Sequence, residues 1–173
     1  MKKLRSYDPD KPYTIKSGKR EGKSLGVLMF NEYSFLRWHF GEMEKRYTTG
    51  TGRNDYHRHL IWILKRGEDR KPKMECPVCG QRKVKYFSVR FSRGINRFSV
   101  SSQYTCCQSN ECKKMLRAGA FSDNIHFYQP KFSNVTKLTN LKGEQKKITD
   151  LYRKIFKLEG RMTKNKAFNF FKE

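Results

Sequence analysis

The sequence predicts an α+β protein: a small helical N-terminal unit, a four-cysteine ribbon built on a β-hairpin, and a basic C-terminal helix. Three observations predict it. Apolar residues recur with helical period near 31–45, 54–67 and 140–160. Two β-rich runs, "KVKYFSVRF" and "RFSVSSQY", flank the turn-like "SRGIN". All five cysteines lie between Cys76 and Cys112, around that hairpin. Polar links divide the chain into three segments, 1–72, 73–118 and 119–173.

Residues 1–26 are broken up by Pro, Gly and Lys, with "PYTI" as a short extended candidate. The first helix follows over 31–45, with Asn31 as N-cap. Tyr33, Leu36 and Phe40 form its stripe, and Phe35 and Trp38 widen it. "TTGTGRND" reads as a loop. A second helix over 54–67, capped by Asn54 or Asp55 and stopped by Gly67, turns Tyr56, Leu60, Ile63 and Leu64 inward. In the ribbon, Gly94 or Asn96 supplies the positive φ of the hairpin turn. "KKMLRAGAF" closes that unit, and 119–140 is read as loop. The helix over 140–160 carries Ile148, Leu151, Tyr152, Ile155 and Phe156 on one stripe and ends at Gly160. A final turn or two follows, with Thr163 as cap.

Charge narrows the function classes. The formal net charge is +23 over 173 residues, and the three segments hold 17, 10 and 12 Lys/Arg against 9, 2 and 5 acids. Like charge spread this evenly repels itself, and a polyanion relieves the repulsion, which points to nucleic acid. No apolar run is long enough to span a membrane. "MKKLRSYDPDKPYT" has a basic start with no apolar stretch behind it, so it is not read as a signal peptide. The thiols are therefore expected in a reducing, cytoplasmic and nucleoid-associated setting. There, clustered cysteines favour metal over disulfides.

The cysteine spacing is Cys76-x2-Cys79, then 27 residues, then Cys107-x4-Cys112 or Cys106-x5-Cys112. Two short thiolate loops joined by a hairpin suit tetrahedral Zn²⁺, as in a zinc ribbon, and Pro77 and Gly80 suit the tight knuckle turn. If "RFSVSSQYTCC" is extended, Cys106 shares a face with Phe98, Val100 and Tyr104, and Cys107 shares the other with Ser101, Gln103 and Thr105. A free thiol packs as a small hydrophobe. The metal set is accordingly Cys76, Cys79, Cys107 and Cys112, with Cys106 the alternative fourth ligand. Four thiolates and no histidine make a closed, structural zinc site.

"ECPVCG", a basic hairpin and "QYTCCQSNEC" together resemble the Ogr/Delta family of phage late-transcription activators over about 40 residues. Here the hairpin is several residues longer and there is an extra cysteine. That resemblance implies a four-cysteine zinc protein acting in transcription. "GKREGKSLGVLMFNEYSFLRW" is similar, at Gly18, Lys19, Gly22, Lys23, Tyr33, Leu36 and Trp38, to the small module at the C-terminus of exonuclease-X-type proteins. Its paired Gly-Lys turns suggest amides and the ammonium groups of Lys19 and Lys23 aimed at phosphate.

Between Glu75 and Glu111 there is no acid, while Arg82, Lys83, Lys85, Arg90, Arg93 and Arg97 all fall there. On a hairpin Lys85 shares a face with Phe87 and Phe91, and Arg90 shares the other with Tyr86. Guanidinium groups would meet phosphates and rings would stack on bases. Lys146, Lys147 and Lys154 add cations on the C-terminal helix. The sequence therefore reads as a non-enzymatic, zinc-dependent nucleic-acid-binding protein, DNA being favoured over RNA. Its expected role is transcription regulation of phage or mobile-element type. The alternative is an accessory subunit of a larger nucleoprotein complex. A metal-dependent nuclease using Asp55, His57 and His59 is a third reading, but those histidines sit two apart on a helix and point to different faces.

Overall fold

The computed structural model of the chain describes residues 11–48, 55–94, 97–119, 125–139 and 141–173, with the backbone alone at 43–48, 91–94 and 97–103. The chain forms two compact units, Met1–Arg70 with Arg161–Glu173, and Lys71–Gly160. Helices and a small antiparallel sheet make it α+β, as the residue patterns predict. Of the expected "TTGTGRND" loop, Thr48 and Asp55 are helical and 49–54, with Asn54 as cap, lie outside the described residues, as does the Asn96 turn position.

Unit one opens with a tight hairpin between Tyr13 and Leu25. Ile15 N–H donates to Lys23 O (3.0 Å) and Gly22 N–H to Ile15 O (3.0 Å). Gly18 and Gly22 hold φ of +84° and +78°, where a Cβ would be strained. Ser24 then caps α1 (Leu25–Asn31), its Oγ accepting from Val27 N–H at 3.3 Å. This corrects the expectation that Asn31 begins a helix: Asn31 ends α1, the chain breaks at Glu32, and α2 (Tyr33–Thr48) follows. Leu25, Leu28, Met29 and Phe30 are all fully buried. A segment apolar on most sides has no polar face to betray its period. Helix α3 (Asp55–Asp69) runs past Gly67, which is buried in its last turn. Helix α7 (Lys164–Lys172), capped by Thr163 as expected, packs on α1 and α3. Its Phe170 ring meets Phe30 edge-on at 5.4 Å. Gly26 permits that approach, since a Cβ there would lie 3.2 Å from Ala167 Cβ.

Unit two holds a three-stranded antiparallel sheet, order β2-β1-β3, from β1 (Tyr86–Gly94), β2 (Arg97–Cys106) and β3 (Ile125–Tyr128). Helices α4 (Asn110–Gly119), α5 (Phe132–Leu138) and α6 (Lys142–Ile155) complete it. The loop expected over 119–140 is corrected by β3 and α5. A four-residue strand and a seven-residue helix are too short to show a period. Tyr152 on α6 is the hub of this core. Phe87 and Phe132 stand edge-on to it at 5.4 Å each, and its hydroxyl donates to Lys131 O at 2.8 Å. The apolar stripe of α6 is thus covered within its own unit. Ile155 O, at the end of α6, accepts from both Lys73 N–H (3.0 Å) and Met74 N–H (2.9 Å), fixing the segment that enters the first cysteine pair. Among the described residues, no helix is long and apolar enough to cross a membrane.

Candidate metal centre

The first cysteine pair sits on a knuckle closed by Val84 N–H to Met74 O (2.9 Å) and Cys76 N–H to Arg82 O (2.7 Å). Gly80, at φ +67°, returns its N–H to Cys76 O at 2.8 Å, which is the turn that "CPVCG" foreshadows. The second pair is placed by the end of β2 and the start of α4. Cys107 leaves the strand, and Cys112 lies in the first turn of the helix.

The sulfurs of Cys76, Cys79, Cys107 and Cys112 all lie within 4.8 Å of one another. Cys79 and Cys107 Sγ are 4.0 Å apart, and Cys107 and Cys112 Sγ 3.6 Å. A tetrahedron with metal–sulfur bonds of about 2.3 Å places sulfurs about 3.8 Å apart, so the donor set fits a four-coordinate thiophilic ion. Backbone amides surround the sulfurs: Cys107 N–H points to Cys76 Sγ (3.3 Å) and Ser109 N–H to Cys107 Sγ (3.5 Å). Amides of Gln81 and Arg82 bring the Cys79 thiol down to about 6. Burial, then the neighbouring sulfurs, pushes Cys112 up to about 12. Four sulfurs this close ionise together only around a cation, which is the chemistry of a metal centre.

Cys106, the last residue of β2, is fully buried and stands outside the four. Burial, then Cys76 and Cys107, raises its thiol to about 11. The β1–β2 register shifts between Arg90 and Phe91, so facing cannot be carried from Phe98 and Val100 to Cys106. Those two side chains lie outside the described residues. What separates the adjacent cysteines is that the strand ends between them.

The cations are distributed as follows. Arg82, Lys83, Lys85 and Arg90 are exposed. Lys83 pairs with Glu75 (3.0 Å) and Lys85 donates to Gln108 Oε1 (3.1 Å). The side chains of Arg93, Arg97 and Phe91 lie outside the described residues. Phe87 is corrected: β1 is the central strand, so its ring is buried against Tyr152 and Tyr128 and is not open for stacking. Lys146 pairs with Asp150 and Lys147 with Glu144 (2.9 Å) along α6, while Lys154 is exposed. Lys19 is exposed, whereas Lys23 and Arg20 both pair with Glu32. The amides of Glu21, Gly22 and Lys23 are used inside the turns rather than presented to an anion.

Three cations on α4, Lys113, Lys114 and Arg117, do not stand out in the sequence. Lys113 Nζ lies 4.2 Å from the Tyr86 ring, and the Arg117 guanidinium 5.3 Å from that of Phe127. Their i,i+4 spacing becomes a signal once α4 is known to be a helix. His59 is buried against Tyr13 (ring centroids 5.1 Å), while His57 is half-buried. Among the described residues, metal-ligating side chains converge only at the four cysteines. No family model matches the chain, and no curated protein or solved structure matches it.

Proposed function

We propose that this chain is a non-enzymatic nucleic-acid-binding protein whose cysteine centre holds a structural zinc ion. The single observation that carries the zinc reading is the set of four sulfurs within 4.8 Å of one another, three of them on buried residues, with no histidine or carboxylate among them. Soft thiolates select Zn²⁺ over hard cations, and a closed four-ligand set leaves no position for a reactive water. The nucleic-acid reading is supported by the net charge of +23. It is also supported by the exposed Arg82, Lys85, Arg90, Lys114 and Arg117 on the elements around the centre. Zinc would fix the knuckle and α4, so that these cations meet a phosphate backbone without first being ordered. The resemblance to phage late-transcription activators makes a DNA-binding regulator the favoured role.

The test is a salt titration of duplex binding. Lys85→Glu with Arg90→Glu is expected to weaken binding across all sequences. It should also flatten the dependence of log K on log salt by about one unit per lost phosphate contact. An unchanged slope would remove the hairpin as the contact surface.

An accessory subunit of a nucleoprotein complex is the second reading. It is favoured by Met115 on α4 and Tyr104 on β2, 62% and 42% exposed on the elements that frame the centre. A regulator binds naked duplex with sequence preference, while an accessory subunit binds tightly only with its partner present. Mg²⁺-dependent cleavage lost in Asp55→Ala or His57→Ala would replace both with a nuclease.

A further inference from the structure

Unit one contains a groove of ≈ 580 Å³ between the Gly18 turn, α2 and α3, lined by Lys16, Lys19, Phe35, Trp38, Tyr56 and His57 among others, with Glu42 the one carboxylate among its lining residues. Trp38 is 64% exposed, although its neighbours Tyr33 and Leu36 on α2 are buried. Phe35 and Trp38 therefore do not widen the core stripe as their spacing suggests; they line this opening. His39 braces the wall, edge-on to Trp38 at 4.7 Å and to Tyr56 at 5.0 Å. Burial, then the charge of His57, lowers the His39 pKa against an opposing pull from Glu42.

The cations at the rim differ from their neighbours. Arg20 and Lys23 are held by Glu32. Lys16, whose Nζ lies 5.8 Å from the Tyr13 ring, and Lys19 have no carboxylate partner among the described residues. Tyr56 lines the groove, and its hydroxyl is buried without a hydrogen-bond partner among the described residues; such an orphan costs about 1–3 kcal/mol. A bare anion would satisfy the lysines and leave the indole in water. A neutral apolar ligand would cover the indole and leave the lysines unused. A flat heteroaromatic ring carrying a phosphate satisfies both.

We propose that this groove holds one unpaired nucleotide of a single strand, its base on Trp38 and its phosphate between Lys16 and Lys19. The proposal rests on the nucleic-acid reading above and deepens it. It adds a single-strand site in unit one, separate in sequence from the cations around the cysteine centre. Stacking is sequence-tolerant, so the site takes any base.

The experiment uses the full chain with Trp62→Phe, which leaves Trp38 as the sole indole, titrated with a dT12 oligomer, with dTMP and with a duplex. dT12 is expected to quench Trp38 emission and to bind at least about tenfold more tightly than dTMP. Trp38→Ala, read by the anisotropy of labelled dT12 because no indole remains, should weaken dT12 binding about tenfold, in keeping with stacking of about 1–3 kcal/mol per base, and leave duplex affinity unchanged. Because Trp38 is largely exposed, that variant keeps its fold, which circular dichroism checks; Lys19→Glu gives a second variant that should lower dT12 affinity alone. Unchanged dT12 binding in both variants would overturn the groove while leaving the nucleic-acid reading intact. Equal affinity for dT12 and dTMP would overturn the single-strand assignment in favour of a free nucleotide. Absence of binding to any of the three would sink both proposals.

Discussion

The adjacent cysteines provide the sharpest test of the metal centre, because two one-atom changes side by side should act oppositely. Cys106 is fully buried and its sulfur stands outside the four that converge. Cys106→Ala removes one buried atom of roughly methylene size. Lost transfer energy of about 0.8 kcal/mol plus a small cavity term gives a cost of about 1–2 kcal/mol. Metal content should stay at one zinc per chain. Cys107 sits at the middle of the cluster, 4.0 Å from Cys79 Sγ and 3.6 Å from Cys112 Sγ, and also donates its N–H to Cys76 Sγ. Cys107→Ser withdraws a thiolate from a site whose binding is worth about 10–16 kcal/mol in small zinc folds, against a whole-domain stability of about 5–15 kcal/mol. Unit two should then release its zinc on desalting and lose cooperative melting. Metal analysis of desalted protein, with the visible bands of a cobalt(II)-substituted sample, reads the two variants directly. Zinc retained in Cys107→Ser and lost in Cys106→Ala would refute the assignment and the reasoning that the end of β2 divides the pair.

Tyr152→Phe should lower the stability of unit two by about 1 kcal/mol, since it deletes the hydroxyl bond to Lys131 O and leaves that carbonyl to find another donor. Tyr152→Ala, which empties the centre of the Phe87–Phe132–Phe156 cluster, should cost about 3–5 kcal/mol by chemical denaturation. Glu32 is held below the usual carboxylate range by its bond to Lys23 and by Arg20. A depressed folded-state pKa adds stability above the unfolded carboxylate value and loses it as pH falls through the folded value. Glu32→Gln should therefore reduce stability at pH 7 by no more than about 1 kcal/mol and flatten its acid decline. An identical acid profile in the variant would show that the ion pair carries no weight.

How far the residues foretold the fold depends on whether their chemistry was local. The "CPVCG" knuckle was legible because a positive-φ glycine and paired thiolates are demanded by a turn of five residues. Helix α6 was legible because Ile148, Tyr152 and Ile155 mark a stripe against polar neighbours. Helix α1 was not, because "LGVLMF" offers no polar side to time the repeat, and its cap, Ser24, lies hidden behind a Gly-Lys hairpin. The burial of Phe87 was equally out of reach. It depends on β3, four residues from beyond the cysteines, pairing with the far edge of β1, and nothing near Phe87 announces that neighbour. The exposure of Trp38 and the burial of His59 were out of reach for a similar reason: the hairpin at Tyr13–Leu25 packs from outside either helix.

The membership of α7 in unit one sets an order of events during synthesis. The Gly26 face of α1 meets its partner only after residues 161–173 have left the ribosome, by which time all of Lys71–Gly160 has already emerged. The middle of the chain can thus mature while the N-terminal helices still wait with Phe30 unsheltered. A nascent chain arrested at Gly160 should accordingly leave the Gly26 and Phe30 flank of α1 without the Ala167 and Phe170 side chains that cover it in the folded unit.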